Sequence, residues 1–171
     1  MSEIWDIYDE NKNKTGNLAE RGGYKFKKGE YHIVVTAIIL NMKNEILISK
    51  RADFKRYGGM WECNGGSVLA GETSLEGMLR EIKEELGITF EKEEAHFYKE
   101  LKRDKELPDF KDFWVFKKDI KDDEITLPDG EATEFKWVTI DEFMKMYNNK
   151  EIVPSVNFDK EDFEKVVEML N

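Results

Sequence analysis

One stretch constrains this chain more than any other: GGSVLAGETSLEGMLREIKEELGI, Gly65 to Ile88. Gly65, Gly66 and Gly71 precede a run of helical periodicity. Thr73 and Glu76 form a capping-box pattern, and Gly87 stands where a left-handed cap ends a helix, so the residues between read as helix. Stepping about 100° per residue from Glu81 puts Met78, Ile82, Leu75, Leu86 and Leu79 in one apolar stripe that must face a core. Glu81, Glu84 and Glu85 lie with Gly77 immediately beside that stripe, and Lys83, Glu76 and Arg80 cover the solvent-side arc. Like charges at these spacings cost roughly 0.2–0.5 kcal/mol per pair in water, and more where burial lowers the dielectric. A solvated acidic face, relieved by Arg80 four residues before Glu84, is the ordinary explanation. It fits poorly here, because the acids flank the apolar stripe instead of opposing it. A hard divalent cation, Mg²⁺ or Mn²⁺, removes the repulsion when carboxylate oxygens hold it. Gly77 on the same face leaves room for a ligand or a backbone, at about 1 kcal/mol to the helix.

Around this helix the pattern is mixed. Residues 3–8 read as a short strand followed by a polar turn through Asn11–Asn17, and YHIVVTAIIL (31–40) reads as a buried strand. ILISKR (46–51), WECN, HFYKELK (96–102), DFWVFKK (112–118) and FKWVT (135–139) are further strand candidates. A helix is expected over 140–147. KEDFEKVVEML closes the chain as an amphipathic helix with Phe163, Val166, Val167 and Leu170 on one face. Strands and helices do not alternate regularly, which predicts an α+β fold with a mixed sheet rather than a doubly wound one.

The 171 residues suit a single domain. A net charge of −10 argues against sequence-independent binding to nucleic acid. It permits an anionic small substrate if a cation stands between it and the protein. No apolar run reaches membrane-spanning length, and the acidic N-terminus lacks a signal pattern, so a cytoplasmic protein is expected. Cys63, the single cysteine, excludes an internal disulfide and a thiolate-rich metal site. With only His32 and His96, histidine-based sites are poorly supplied.

Gly66, Glu72 and the run Arg80-Glu81-Ile82-Lys83-Glu84-Glu85-Leu86-Gly87-Ile88 resemble the Nudix box, G-x5-E-x7-R-E-U-x-E-E-x-G-U with U aliphatic. Every defined position matches, an agreement expected by chance on the order of once in 10⁹ starting points. The context from about Tyr31 to Phe143 also resembles the family. The resemblance implies an α/β/α sandwich with a mixed β-sheet over residues 31–171, preceded by an N-terminal β-hairpin extension over 1–30. It also implies Mg²⁺-dependent hydrolysis of a nucleoside diphosphate linked to another moiety, by attack of water on phosphorus. ADP-ribose, nucleotide-sugar and (d)NTP substrates all fit.

Carried over by position, Glu84 and Glu85 are the first metal ligands, Glu81 the next, and the Gly66 carbonyl an additional one. Arg80 is expected to orient a box glutamate, and Glu72 to fasten the loop to the helix. Family members differ in their general base. Here it is a box glutamate or Glu131 in the loop DGEAT, with Glu134 a weaker competitor; an exposed loop acid is the alternative for Glu131. Lys50, Arg51, Lys55 and Arg56 interrupt the acidic chain just before the box, and Arg51 is the candidate phosphate contact. Trp61, Phe113, Trp114 and Phe116 are candidates to stack on a base, with Trp114 taken for the substrate site, although strand aromatics mostly fill cores. The partner is a small diphosphate, with no nucleic acid or membrane, and a homodimer is expected by family analogy.

Two other readings bear on the function. The opening EIWDIYDENKNKTG and GEYH resemble the branch containing isopentenyl diphosphate isomerase, and His32 falls at one of its metal-histidine positions. Where that enzyme has Cys-Gly-His-Pro, however, this chain reads Gly65-Gly66-Ser67-Val68, and Cys63 lies two residues too early. A ligand sensor without hydrolysis would show a broken box or an added DNA-binding domain. This chain shows neither.

Overall fold

The computed structural model describes residues 2–171. Among the described residues it forms nine strands and three α-helices. They are β1 (Ile4–Tyr8), β2 (Lys14–Glu20), β3 (His32–Leu40), β4 (Ile46–Arg51), β5 (Trp61–Glu62), β6 (Gly65–Ser67), α1 (Ser74–Leu86), β7 (His96–Arg103), β8 (Asp109–Lys117), β9 (Ala132–Val138), α2 (Ile140–Asn148) and α3 (Lys160–Leu170). A mixed sheet runs β5-β4-β3-β8-β7, with β6 added to β3 and β9 to β4. β3 and β8 pair in parallel over nine residues, from His32↔Asp109 to Leu40↔Lys117; the other pairings are antiparallel.

β3 is apolar along its length because it is covered on both faces. Ile33, Val35, Ala37 and Ile39 pack with Met78, Ile82 and Leu86 of α1. Ile38 and Leu40 pack with Phe143 and Met146 of α2 and Phe163 and Val166 of α3. This is the expected α/β/α arrangement. Among the described residues no helix is long and apolar enough to cross a membrane.

Four elements differ from the sequence expectation: β9 starts at Ala132, three residues early, because its pairing with β4 continues to Arg51↔Ala132, and three others differ as follows. β2 begins at Lys14, inside the expected turn, because Lys12 takes a left-handed φ of 62° and reverses the chain early. Its side chains face solvent apart from Ala19, so no apolar alternation marks it. β8 starts three residues earlier than expected, since Asp109, Lys111 and Asp112 are charged yet buried. β6 is a strand of glycines: a Cβ on Gly65 would lie 2.3 Å from the Val35 carbonyl oxygen, so only glycine fits against β3.

The N-terminal hairpin is fastened to the loop that leads into α1. Ala70 N–H donates to the Ile4 carbonyl at 2.8 Å, and Gly71 N–H to Asp6 Oδ2 at 2.8 Å. Trp5 stacks on His32 at 4.5 Å. Lys12 Nζ reaches the buried Asp112 at 2.7 Å, beneath the start of α1.

Candidate active site

Helix α1 begins and ends as expected. Thr73 and Glu76 form the reciprocal capping box, and Gly87 closes the helix at φ 71°. Such a cap is worth about 1 kcal/mol. Its acids, however, do not share one environment. Glu81 and Glu85 are buried with Met78 and Ile82, whereas Glu84 is exposed. The shared face expected of the three carboxylates therefore divides into two buried acids and one exposed one.

Arg80, assigned by periodicity to the solvent arc, is half-buried and makes the network that holds the loop. Its Nε and Nη2 bridge both oxygens of Glu72 at 2.7 and 3.0 Å, and Nη2 also donates to the Ser67 carbonyl at 2.9 Å. Nη1 reaches Glu81 at 2.9 Å and Glu84 at 3.0 Å. Glu72 in turn accepts from Leu69 N–H at 2.9 Å, so loop and helix are joined through one carboxylate. Gly77 lets the box loop approach: a Cβ there would lie 3.0 Å from Val68 Cγ2 and 3.3 Å from the Val68 backbone.

Burial pushes the Glu81 carboxyl up to about 7, with Arg80 opposing. Glu85 is held well above the usual carboxylate range, first by burial and then by the charges of Glu62 and Glu81. Asn64, itself buried, donates from Nδ2 to Glu85 Oε2, while its Oδ1 has no partner among the described residues. Gly66 lies directly over Glu81, where a Cβ would come within 2.2–2.5 Å of the carboxylate. That contact explains the glycine independently of any role for its carbonyl.

Glu131 comes to the same place from the loop before β9. One oxygen each from Glu85, Asp129 and Glu131 lie within 4.8 Å of one another. Lys55 enters between them: its ammonium is bonded to Glu131 and stands 3.8 Å from Glu85 Oε1. The Ala52 N–H bond to the Glu131 carbonyl, at 2.9 Å, ties the Lys55 loop to that acid. This site suits a hard divalent cation on four counts. It offers a convergent oxygen donor set, two strained buried carboxyls, an orphaned amide oxygen beside Glu85, and a protein ammonium already drawn to the acids.

The remaining sequence candidates are placed as follows. Arg51 pairs with Glu62 at 2.5 Å and donates from Nε to the Arg56 carbonyl at 2.7 Å, on the wall of a cleft of about 1060 Å³. Glu134 lies apart from the acid cluster, bonded to Lys50 at 2.8 Å. Trp114 is not brought to the acids or the cleft. It packs edge-on against Phe97 at 5.4 Å and donates to Ser74 Oγ at 2.9 Å. Phe113 and Phe116 are fully buried, and Trp61 carries Lys136 over its ring at 4.4 Å. The aromatics that do line the cleft are Tyr24, Phe26 and Tyr57. His32 is buried, donates from Nδ1 to the Pro108 carbonyl at 2.9 Å, and burial lowers its pKa, leaving it neutral. Cys63 is buried with its thiol pushed up to about 12, too high for a nucleophile at neutral pH.

Sequence reasoning missed Asp129, Asn64 and the placement of Lys55. Asp129 had a usable signal, being an acid two residues before Glu131 in one turn. Asn64 had none, because nothing local marks a buried amide as a carboxylate's partner.

Comparison with known proteins gives a consistent result. The family model described as NUDIX domain matches residues 30–156. The uncharacterized Nudix hydrolase lmo0368 of Listeria monocytogenes is 33% identical over 160 residues, covering 89% of each chain. The MutT protein of Methanosarcina mazei has 26% identity and a TM-score of 0.64, covering 82% of this chain and 96% of its own. DR0079 of Deinococcus radiodurans, at 18% identity, shares the fold with a TM-score of 0.70 over 99% of this chain and 100% of its own.

Proposed function

The chain belongs to the Nudix family of hydrolases acting on pyrophosphate bonds, and on that premise we propose that it is a Mg²⁺-dependent pyrophosphohydrolase, with Mn²⁺ able to substitute. Its substrate is a nucleoside diphosphate linked to another moiety, of the ADP-ribose, nucleotide-sugar or (d)NTP type. The observation that carries this reading is the buried Glu85, backed by Asn64 and facing Asp129 and Glu131. A site built this way is unfavourable alone and favourable around a cation.

Glu85, Asp129 and Glu81 are the side chains that would hold the metal, with Glu84 and the Gly66 carbonyl as further oxygen donors beside them. When bound, the metal offsets the diphosphate charge, activates water and steadies the leaving oxygen. Asn64 fixes the Glu85 carboxylate by occupying Oε2, which leaves Oε1 toward Lys55 and Glu131. Glu131 is half-exposed on a loop and reaches the acids from the open side, which suits it to take the proton of the attacking water. Arg80 is a positioning residue: its guanidinium is shared among Glu72, Glu81 and Glu84 and has no free edge for substrate. Lys55 supplies a positive charge at the acids, and Arg51 stands on the wall of the adjoining cleft.

The test is a panel of ADP-ribose, nucleotide sugars, (d)NTPs and dinucleoside polyphosphates, assayed with Mg²⁺ and with chelator. Hydrolysis at the diphosphate of at least one compound, abolished by chelator, is expected. No hydrolysis of any member, or hydrolysis indifferent to metal, contradicts the reading.

A further inference from the structure

The first residues of β8 carry charge into the interior, and two of the three charges are answered by partners. Asp112 receives Lys12. Asp109 receives Arg103 at 2.6 Å and Lys105 at 2.9 Å. Lys111 is different. Its buried Nζ donates only to the Ser155 and Val156 carbonyls, at 2.5 and 3.3 Å, and among the described residues it has no salt bridge. Burial, and then the nearby charge of Arg103, pull its pKa down to about 7. A buried ammonium without a counterion is costly to a fold, as a buried carboxylate is.

Lys111 lines a cavity of about 240 Å³. Glu62, Gly65 and Gly66 form part of its wall, the same stretch that holds Asn64 on Glu85 and lays Gly66 over Glu81. Arg103 and Lys105 stand where the cavity meets the larger cleft, because they line both. Asp109 fixes the two of them, and Arg103 Nη1 spans to Asn157 at 3.0 Å. Arg103, Lys105 and Lys111 line the cavity with two acids, Asp109 and Glu62, and Glu62 is already paired with Arg51. Farther out, Lys25 and Arg56 line the cleft without a salt bridge among the described residues. In a chain of net charge −10 this concentration of positive charge is local and specific.

We propose that Lys111, with Arg103 and Lys105, holds a phosphate group of the substrate that lies away from the scissile diphosphate. The proposal rests on the hydrolase reading and narrows its substrate class to diphosphates phosphorylated a second time, at a remote position. With Glu62 answered by Arg51, the positive charge left around Asp109 suits a phosphate better than a neutral sugar. The cleft of about 1060 Å³ reaches the top of the ~300–1,000 Å³ range of small-molecule sites, so it accommodates a substrate extending well beyond a diphosphate. Because Asp109 and Asn157 already order Arg103, little conformational freedom is lost on binding.

Matched pairs differing by one phosphate test this directly. Hydrolysis of coenzyme A is compared with dephospho-coenzyme A, and of NADPH with NADH. Calorimetry independently measures binding of adenosine 2′,5′- and 3′,5′-bisphosphate against AMP, so the subsite is probed without turnover. The expected result is at least tenfold tighter binding of one bisphosphate, and the same preference in kcat/KM within the corresponding pair. Lys111→Met should abolish both preferences. Lys105→Ala, at an exposed side chain whose partner Asp109 keeps Arg103, should reduce both preferences severalfold. Equal binding of AMP and both bisphosphates by the wild type overturns the proposal. If that occurs while some other diphosphate is hydrolysed, the hydrolase reading stands and only the subsite falls.

Discussion

Glu85 and Asn64 act as one unit in this site: the amide fixes one carboxylate oxygen and thereby aims the other at Lys55 and Glu131. Asn64→Leu keeps the volume and removes the donor. Turnover should fall at least tenfold, with a raised Mg²⁺ requirement and little change in substrate KM, as steady-state kinetics over a metal titration will show. An effect on substrate KM alone would assign Asn64 to substrate binding instead. Two neighbouring glycines separate positioning from folding at the same scale. Gly66→Ala meets the end of a side chain, Glu81, which can move, so activity should fall while thermal stability falls by only about 1 kcal/mol. Gly65→Ala meets the Val35 carbonyl and Thr36 backbone, which cannot, so thermal melts should show the larger loss for that variant. Residue spacing and family pattern pointed to Glu81, Glu84, Glu85 and Glu131, and the structure brings Glu85 and Glu131 together with Asp129. Which acids are buried was not legible, since the periodicity that places a side chain within a few tens of degrees cannot say how far the neighbouring loop folds over it.

At the scale of the element, α1 carries a stored electrostatic cost. Glu81 titrates at about 7 in the folded protein against 4.5 for an ordinary glutamate, so the folded state keeps a proton that the unfolded chain loses. Stability from this group is therefore full below about pH 4.5 and falls as pH rises through 7, by at most about 3 kcal/mol. Glu81→Gln removes the titration and leaves His32 and the other groups common to both proteins. In chelator, its stability relative to wild type should rise between pH 5 and pH 8, measured by urea unfolding. A constant difference across that range contradicts the assignment. The helix ends and apolar stripe of α1 were legible because caps and periodicity are local. The start of β8 was not: Lys111 and Asp112 meet partners from distant segments and Asp109 meets Arg103 and Lys105 just before it, and a strand buried through such contacts resembles a surface loop in the sequence.

The whole molecule joins the N-terminal hairpin to the site. β1 fastens the glycine loop through Ala70 and Gly71, and Lys12 neutralises Asp112 below the start of α1. Lys12→Met leaves Asp112 buried and unpaired, which should destabilise the protein by about 3 kcal/mol. Adding Asp112→Asn should recover part of that loss in a double-mutant cycle. Independent losses that simply add would show that the hairpin does not act through this pair. The α/β/α architecture was legible from the mixed order of elements and the box, whereas the joining of hairpin, box loop and cleft arises from tertiary contacts between segments distant in the chain. The buried Glu85 carboxylate stands at the centre of the proposed site, and Glu85→Gln tests its role most directly. With the best diphosphate substrate and saturating Mg²⁺, the variant should lose at least 10²-fold in kcat while its circular dichroism and unfolding remain cooperative and native-like. Turnover equal to that of the wild type would contradict it.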